Sequence, residues 1–321
     1  MNTVPTLSVD ELSVSFAHRT GTVEAVDGVS LRIAPAECVG VVGESGSGKT
    51  QLFLAVMGLA GNASVRGSIR FEGKELLRAA APAVNRVRGS KLTMIFQDPM
   101  TSLTPHLSIG TQLAEVLVCH QGLSWGEARD AARRMLDRVR IPEPQRRLSQ
   151  YPHELSGGMR QRVMLAMSLL CEPALVIADE PTTALDVTIQ AQIIELLRAM
   201  RGEAGTALAL ISHDLAVVAG LADRILVMYA GRIVEDAAAA ELFRQPRHPY
   251  TAELLKCVPS LSGPRLARLP TLAGQPPQPG DALQACPFAP RCPRAADRCR
   301  SERPALMGAS TGQVACHFPL P

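Results

Sequence analysis

Apolar and polar residues alternate over residues 7–33, around turn signals at residues 19–22 and at Asp27-Gly28, which predicts paired β-strands forming an antiparallel edge. Residues 38–42 form a short, wholly apolar run that passes into a glycine-rich turn and then a helix predicted over residues 48–59. Two more β-like stretches, residues 67–72 and 92–96, precede a proline-punctuated segment. Helical periodicity then governs residues 109–139 and resumes after Ser156. A buried strand is predicted at residues 175–178. Ile189, Ile193, Leu196, Leu197 and Met200 recur on one helix face, and residues 208–211 and 225–228 are apolar runs of strand length. Strands alternating with helices predict an α/β fold with a largely parallel sheet covered on both faces. From about Ser260 the chain becomes rich in Pro, Gly and Arg and periodicity lapses. There is no internal duplication.

The 321 residues suffice for one large domain and an appended region. A formal charge of +3 is too small to make nucleic acid the expected partner. Although 46% of the residues are hydrophobic, no apolar run approaches the roughly 20 needed to span a bilayer; the longest, residues 163–178, is broken by Glu172 and Pro173. The N-terminus mixes Asp10 and Glu11 among small apolar residues and lacks a secretory pattern, so the expected compartment is the cytoplasm. There, clustered cysteines are metal ligands before they are disulfides. Cys38, Cys119, Cys171 and Cys257 are scattered among apolar neighbours and are expected to be buried small hydrophobes. The other four lie in the tail.

Gly43-Glu44-Ser45-Gly46-Ser47-Gly48-Lys49-Thr50 fits a phosphate-binding loop, between an apolar strand and a helix as the chemistry requires. Its glycines let backbone amides turn inward, the helix N-terminus adds partial positive charge, Lys49 meets the β- and γ-phosphates, and Thr50 offers a hydroxyl to Mg²⁺. Leu175-Val176-Ile177-Ala178 ends in Asp179 and Glu180, placing two acids at the carboxyl edge of the sheet. Asp179 is expected to hold the magnesium shell and Glu180 to polarise the attacking water. Leu155-Ser156-Gly157-Gly158-Met159-Arg160-Gln161-Arg162 opens an apolar helix with Ser156, Gly157 and Gly158 as a second anion-receptive start.

Two phosphate-binding edges in one chain resemble the ABC ATPase family, whose signature sequence binds the γ-phosphate of the nucleotide held by the partner subunit. Met159 stands where the family usually has Gln. By the same resemblance, Gln97 in Met94-Ile95-Phe96-Gln97-Asp98-Pro99 corresponds to the Q-loop glutamine that touches Mg²⁺ and water and senses the membrane subunits. Asp186 in Ala184-Leu185-Asp186 corresponds to the D-loop that communicates across the dimer, and His213 to the switch histidine at the γ-phosphate. Phe16 falls where an aromatic stacks on adenine, with Val23 beside it. The likeness spans about residues 7–239. It narrows, through Phe96-Gln97-Asp98-Pro99-Met100-Thr101-Ser102-Leu103-Thr104-Pro105 and Arg247-His248-Pro249-Tyr250-Thr251, to the oligopeptide/dipeptide/nickel importer branch.

That resemblance implies an ABC-type nucleotide-binding domain over residues 1–259, with a mixed sheet core, an antiparallel β edge and a helical subdomain at about residues 102–172. A small irregular Cys-rich extension occupies residues 260–321. It implies an ATPase using ATP and Mg²⁺ that powers peptide uptake, dipeptide above all, from the cytoplasmic face of the bacterial inner membrane as a peripheral protein. The implied partners are a homologous second ATPase in a heterodimer, two transmembrane permeases meeting the helical region, and a substrate-binding protein on the outer side. Nickel chelates, glutathione and heme are the alternative cargoes. Soluble ABC ATPases acting on nucleic acid or the ribosome share the nucleotide motifs but carry two cassettes or long coiled-coil or basic insertions, neither of which is present.

Cys286, Cys292, Cys299 and Cys316 lie in a segment punctuated by Pro287, Pro290 and Pro293 and too poor in apolar residues to pack unaided. Four thiolates suit zinc or an iron-sulfur cluster. Neither paired zinc spacing nor a ferredoxin run is present, and the wide gaps favour iron-sulfur. Importers of this branch with similar tails imply a [4Fe-4S] cluster, with Zn²⁺ the alternative and His317 a substitute ligand.

Overall fold

The structure, a computed structural model, describes residues 4–18, 21–97, 102–183, 186–257, 272–277, 284–309 and 312–321. Residues 19–20 of the predicted first turn, residues 98–101 after Gln97, and residues 184–185 before Asp186 lie outside the described residues.

In chain order the strands are β1 (Leu7–His18), β2 (Gly21–Ile33), β3 (Cys38–Val42), β4 (Ser64–Phe71), β5 (Lys74–Glu75), β6 (Leu92–Ile95), β7 (Leu175–Asp179), β8 (Ala207–Ile211), β9 (Arg224–Tyr229), β10 (Arg232–Ala238), β11 (Met307–Ala309) and β12 (Gly312–Val314). The chain divides into two compact units. One comprises the described residues within 1–7, 33–37 and 71–209; the other comprises those within 8–32, 38–70 and 210–321.

In the first unit β6 and β7 pair in parallel, Ile95 opposite Ala178. All five residues of β7 are buried, as a strand covered on both faces requires. The helical stretch is two helices, Ile109–Gln121 and Trp125–Arg138. Gly122 ends the first in the left-handed region at φ 69°, and Ser124 starts the second with a capping box to Glu127. Their apolar faces bury Ile109, Leu113, Leu117, Ala128, Ala132 and Leu136. The helix Val187–Ala204 buries Ile193, Leu196, Leu197 and Met200, as the periodicity predicts, while Ile189 is only half-buried.

In the second unit β1 lies between β2 and β4, and β3 pairs in parallel with β9. Beyond β9 the sheet turns antiparallel, with β10 on β9, β12 on β10 and β11 on β12. The sheet is therefore mixed, and the tail that sequence pattern left without elements supplies its last two strands. Three-residue strands are too short to carry a readable alternation. Cys38 is buried as expected and Cys171 and Cys257 are half-buried, but Cys119 is exposed, on the outward face of the last turn of its helix. No described helix is long and apolar enough to cross a membrane.

Candidate functional site

β3 runs straight into residues 43–48 and the helix Lys49–Val56. Gly43, Gly46 and Gly48 have φ of 153°, 81° and 97°, which coil the loop back over the helix start. At two of them a side chain is sterically excluded as well. A Cβ on Gly48 would stand 2.2 Å from the Ala25 carbonyl oxygen, and one on Gly43 would stand 2.2 Å from that of Met228. Gly48 heads the helix without a side-chain cap. The anion preference of a helix N-terminus is thus not spent on a cap. Lys49 is 6% exposed, and its ammonium donates to the carbonyls of Gly43 at 2.8 Å and Glu44 at 2.9 Å. Ser47 is buried, Thr50 half-buried and Ser45 exposed.

β7 ends on Asp179, 3% exposed, and the chain turns at Glu180 with φ 48°. The left-handed backbone, which Glu11, Glu72, Glu143 and Glu172 also adopt, turns the chain sharply off the end of the strand. One carboxylate oxygen of Glu180 accepts from Gln97 Nε2 at 3.0 Å and from Thr183 Oγ1 at 2.8 Å. Gln97 follows β6, so the parallel pairing of β6 and β7 brings these two predicted site residues together across 83 positions of sequence.

Ser156 is exposed and caps the helix Gly157–Leu169, its hydroxyl accepting from Met159 N at 3.4 Å. Gly157 is exposed with open space beside its Cα, whereas a Cβ on Gly158 would meet Ile189 at 3.2 Å. Asp186 is exposed and caps the helix Val187–Ala204 through Ile189 N at 2.9 Å. His213 follows β8 and is exposed; Phe16 on β1 and Val23 on β2 are half-buried.

Cys286, Cys292, Cys299 and Cys316 line one small cavity of about 10 Å³, together with His248 and His317. Cys286 N donates to the Cys299 carbonyl at 3.0 Å, tying two of the four together. Burial pushes the thiols of Cys286, Cys292 and Cys316 up, so they are neutral unless a metal displaces their protons. Among the described residues no three His, Cys, Asp or Glu side chains stand at metal-holding geometry. The donor set fits a soft metal in kind and number, but the cavity has room for about one water. His317 Nε2 is engaged by the Glu302 carbonyl at 3.0 Å.

Sequence pattern did not reveal what holds the loop from outside. Tyr250 Oη accepts from Glu44 N at 2.9 Å, and Arg291 grips the Glu44 carboxylate through Nη1 at 2.6 Å and Nη2 at 3.0 Å. Tyr250 belongs to a motif that the sequence offered only as a likeness; Arg291 lies in an aperiodic stretch where one arginine among many carries no signal. Tyr229, Tyr250, Phe288 and His248 form an aromatic cluster, with Tyr229 and Tyr250 centroids 4.7 Å apart and Phe288 5.4 Å from each. Burial pushes His248 down to about 4, and its Nδ1 accepts from Tyr250 N at 3.0 Å.

Comparison with known proteins matches residues 26–183 to the family described as ABC transporter. Residues 234–299 match that described as oligopeptide/dipeptide transporter, C-terminal region. The oligopeptide transport ATP-binding protein OppD of Salmonella typhimurium is 49% identical over 316 residues, covering 98% of this chain and 94% of that protein. The dipeptide transport ATP-binding protein DppD of Escherichia coli K12 is 48% identical over 317 residues, covering 98% and 97%. Among solved structures, the dimeric post-hydrolysis state of the ATP-binding cassette MJ0796 bound to ADP and Pi superposes with a TM-score of 0.67 at 25% identity, covering 73% of this chain and 98% of that one. The cbiO1 protein of Clostridium perfringens, part of the ABC transporter complex cbiONQ, gives 0.63 at 28% identity, covering 75% and 91%.

Proposed function

Because this chain belongs to the ABC transporter ATPases, in the branch that carries the oligopeptide/dipeptide C-terminal region, we propose that it hydrolyses ATP to power peptide import through membrane permeases. The observation that carries this reading is the phosphate loop itself. A buried strand, three glycines at positive φ and a buried lysine lying on the loop's own carbonyls make a backbone cradle for a polyphosphate.

In this reading Lys49 and the loop amides hold the β- and γ-phosphates. Glu180 takes the proton of the attacking water as its oxygen bonds to the γ-phosphorus and the bond to ADP breaks. Gln97 orients the Glu180 carboxylate, and His213 contacts the γ-phosphate. Thr50, Gln97 and Asp179 would hold Mg²⁺, which neutralises phosphate charge when bound. Phe16 and Val23 flank adenine. Ser156, Gly157 and Gly158 serve the nucleotide of a partner ATPase, with Asp186 at the junction between the two. A dimeric arrangement follows from the family; the finer reading is a heterodimer with a homologous ATPase, two permeases and an external substrate-binding protein. The exposure of Phe96, 38%, beside Gln97 supports a permease contact there, and a peripheral place at the cytoplasmic membrane face goes with the permease partners that the family implies. Residues 1–259 are assigned to the nucleotide-binding domain and residues 260–321 to the extension, whose four cysteines would hold a [4Fe-4S] cluster, with zinc the alternative.

The test is Glu180→Gln in the assembled transporter. ATP binding should persist while hydrolysis falls by at least about a hundredfold, the scale of a lost general base; normal turnover in the variant would refute the assignment.

A further inference from the structure

Glu44, the second residue of the phosphate loop, is held on every side. Its N–H donates to Tyr250 Oη at 2.9 Å, and its carbonyl accepts the Lys49 ammonium at 2.9 Å and the Ser47 N–H at 3.2 Å. Both of its carboxylate oxygens are taken by the fork of Arg291, at 2.6 Å and 3.0 Å. Arg291 also donates to Tyr229 Oη at 3.2 Å, and its side chain is 3% exposed against 27% for Glu44. The turn that carries it, Ala289–Arg291, lies between Cys286 and Cys292, and Phe288 just before it fills the aromatic cluster. The cysteine-rich tail is thereby tied to the phosphate loop by a two-point ion pair.

Two consequences follow from the physics of that pair. A carboxylate on a loop that receives a polyphosphate repels its ligand, and a bidentate guanidinium cancels that charge. The planar fork also fixes the direction of the Glu44 side chain, and with it the carbonyl on which Lys49 and Ser47 depend. A lysine at position 291 would supply charge without the second hydrogen bond.

We propose that Arg291 is a positioning residue of the nucleotide site, which neutralises and orients Glu44 so that the phosphate loop accepts ATP. This rests on the reading of the loop as the ATP site.

The experiment is steady-state ATP hydrolysis by the full chain in its assembled transporter. Arg291→Met should raise KM for MgATP about tenfold with kcat within about twofold, since the loss is of ground-state phosphate binding. Arg291→Lys should raise it about threefold, a partial rescue, and carries the test if the methionine variant does not fold. In the double variant Glu44→Gln with Arg291→Met, removal of the uncompensated carboxylate should bring KM back to within about threefold of wild type. An unchanged KM in either Arg291 variant, a loss confined to kcat, or a double variant no better than Arg291→Met overturns the proposal. Lys49→Ala separates the two readings: wild-type ATP affinity in that variant would mean that the loop is not the ATP site at all, whatever Arg291 does.

Discussion

At Gly48 the loop tolerates nothing but hydrogen, because φ is 97° and a Cβ would press on the Ala25 carbonyl. Gly48→Ala should lose ATP binding and cost about 2 kcal/mol or more of stability, readable by nucleotide titration and thermal unfolding. His248 supplies a pH signature. It is 2% exposed, and its neutral Nδ1 caps the helix Pro249–Lys256, so protonation puts a donor against a donor. With its value lowered from about 6.5 to about 4 on folding, the unfolded chain binds the proton first. Stability is therefore full above pH 6.5, falls as the pH drops, and has lost about 3 kcal/mol from this group below pH 4. His248→Asn keeps a capping acceptor without titrating, so its midpoint should fall less steeply than wild type between pH 6.5 and 4; equal slopes would rule out the histidine as the cause.

Among the elements, the helix Gly157–Leu169 separates structure from chemistry. Its cap bond is long, 3.4 Å, and exposed, so Ser156→Ala should cost no more than about 1 kcal/mol. If Ser156 also serves the partner's γ-phosphate, the same variant should lose at least about tenfold in ATPase of the assembled transporter. Intact turnover would leave Ser156 a cap alone. The two helices at Ile109–Gln121 and Trp125–Arg138 show what pattern reading blurs. Apolar spacing runs through both, whereas Gly122 and the Ser124 to Glu127 capping box, both plain in the sequence, end one and start the next.

For the whole molecule, the tail is where composition and architecture part. Residues 286–316 lack periodicity, yet they end in two strands on the sheet, and Arg303 and Arg232 both pair with Asp27, at 3.2 Å and 2.7 Å. Anaerobically purified chain should carry iron and acid-labile sulfide, and Cys292→Ser should abolish both and lower the unfolding midpoint. Protein holding zinc alone, or no metal, would remove the cluster.

The α/β order, the phosphate loop, Asp179 and Glu180 at the carboxyl end of β7 and the glycine-rich helix start are legible in the chain alone, because each is a local pattern whose spacing is its chemistry. Gln97 was nameable only by resemblance; its bond to Glu180 needed β6 and β7 to pair. That Arg291, Tyr250 and Phe288 converge on Glu44 and its neighbours emerges only once the chain is folded, since contacts across some 200 residues leave no periodicity to read. The same reason hid the last two strands: their partner is β10, and a strand that short exists only where an edge is waiting for it.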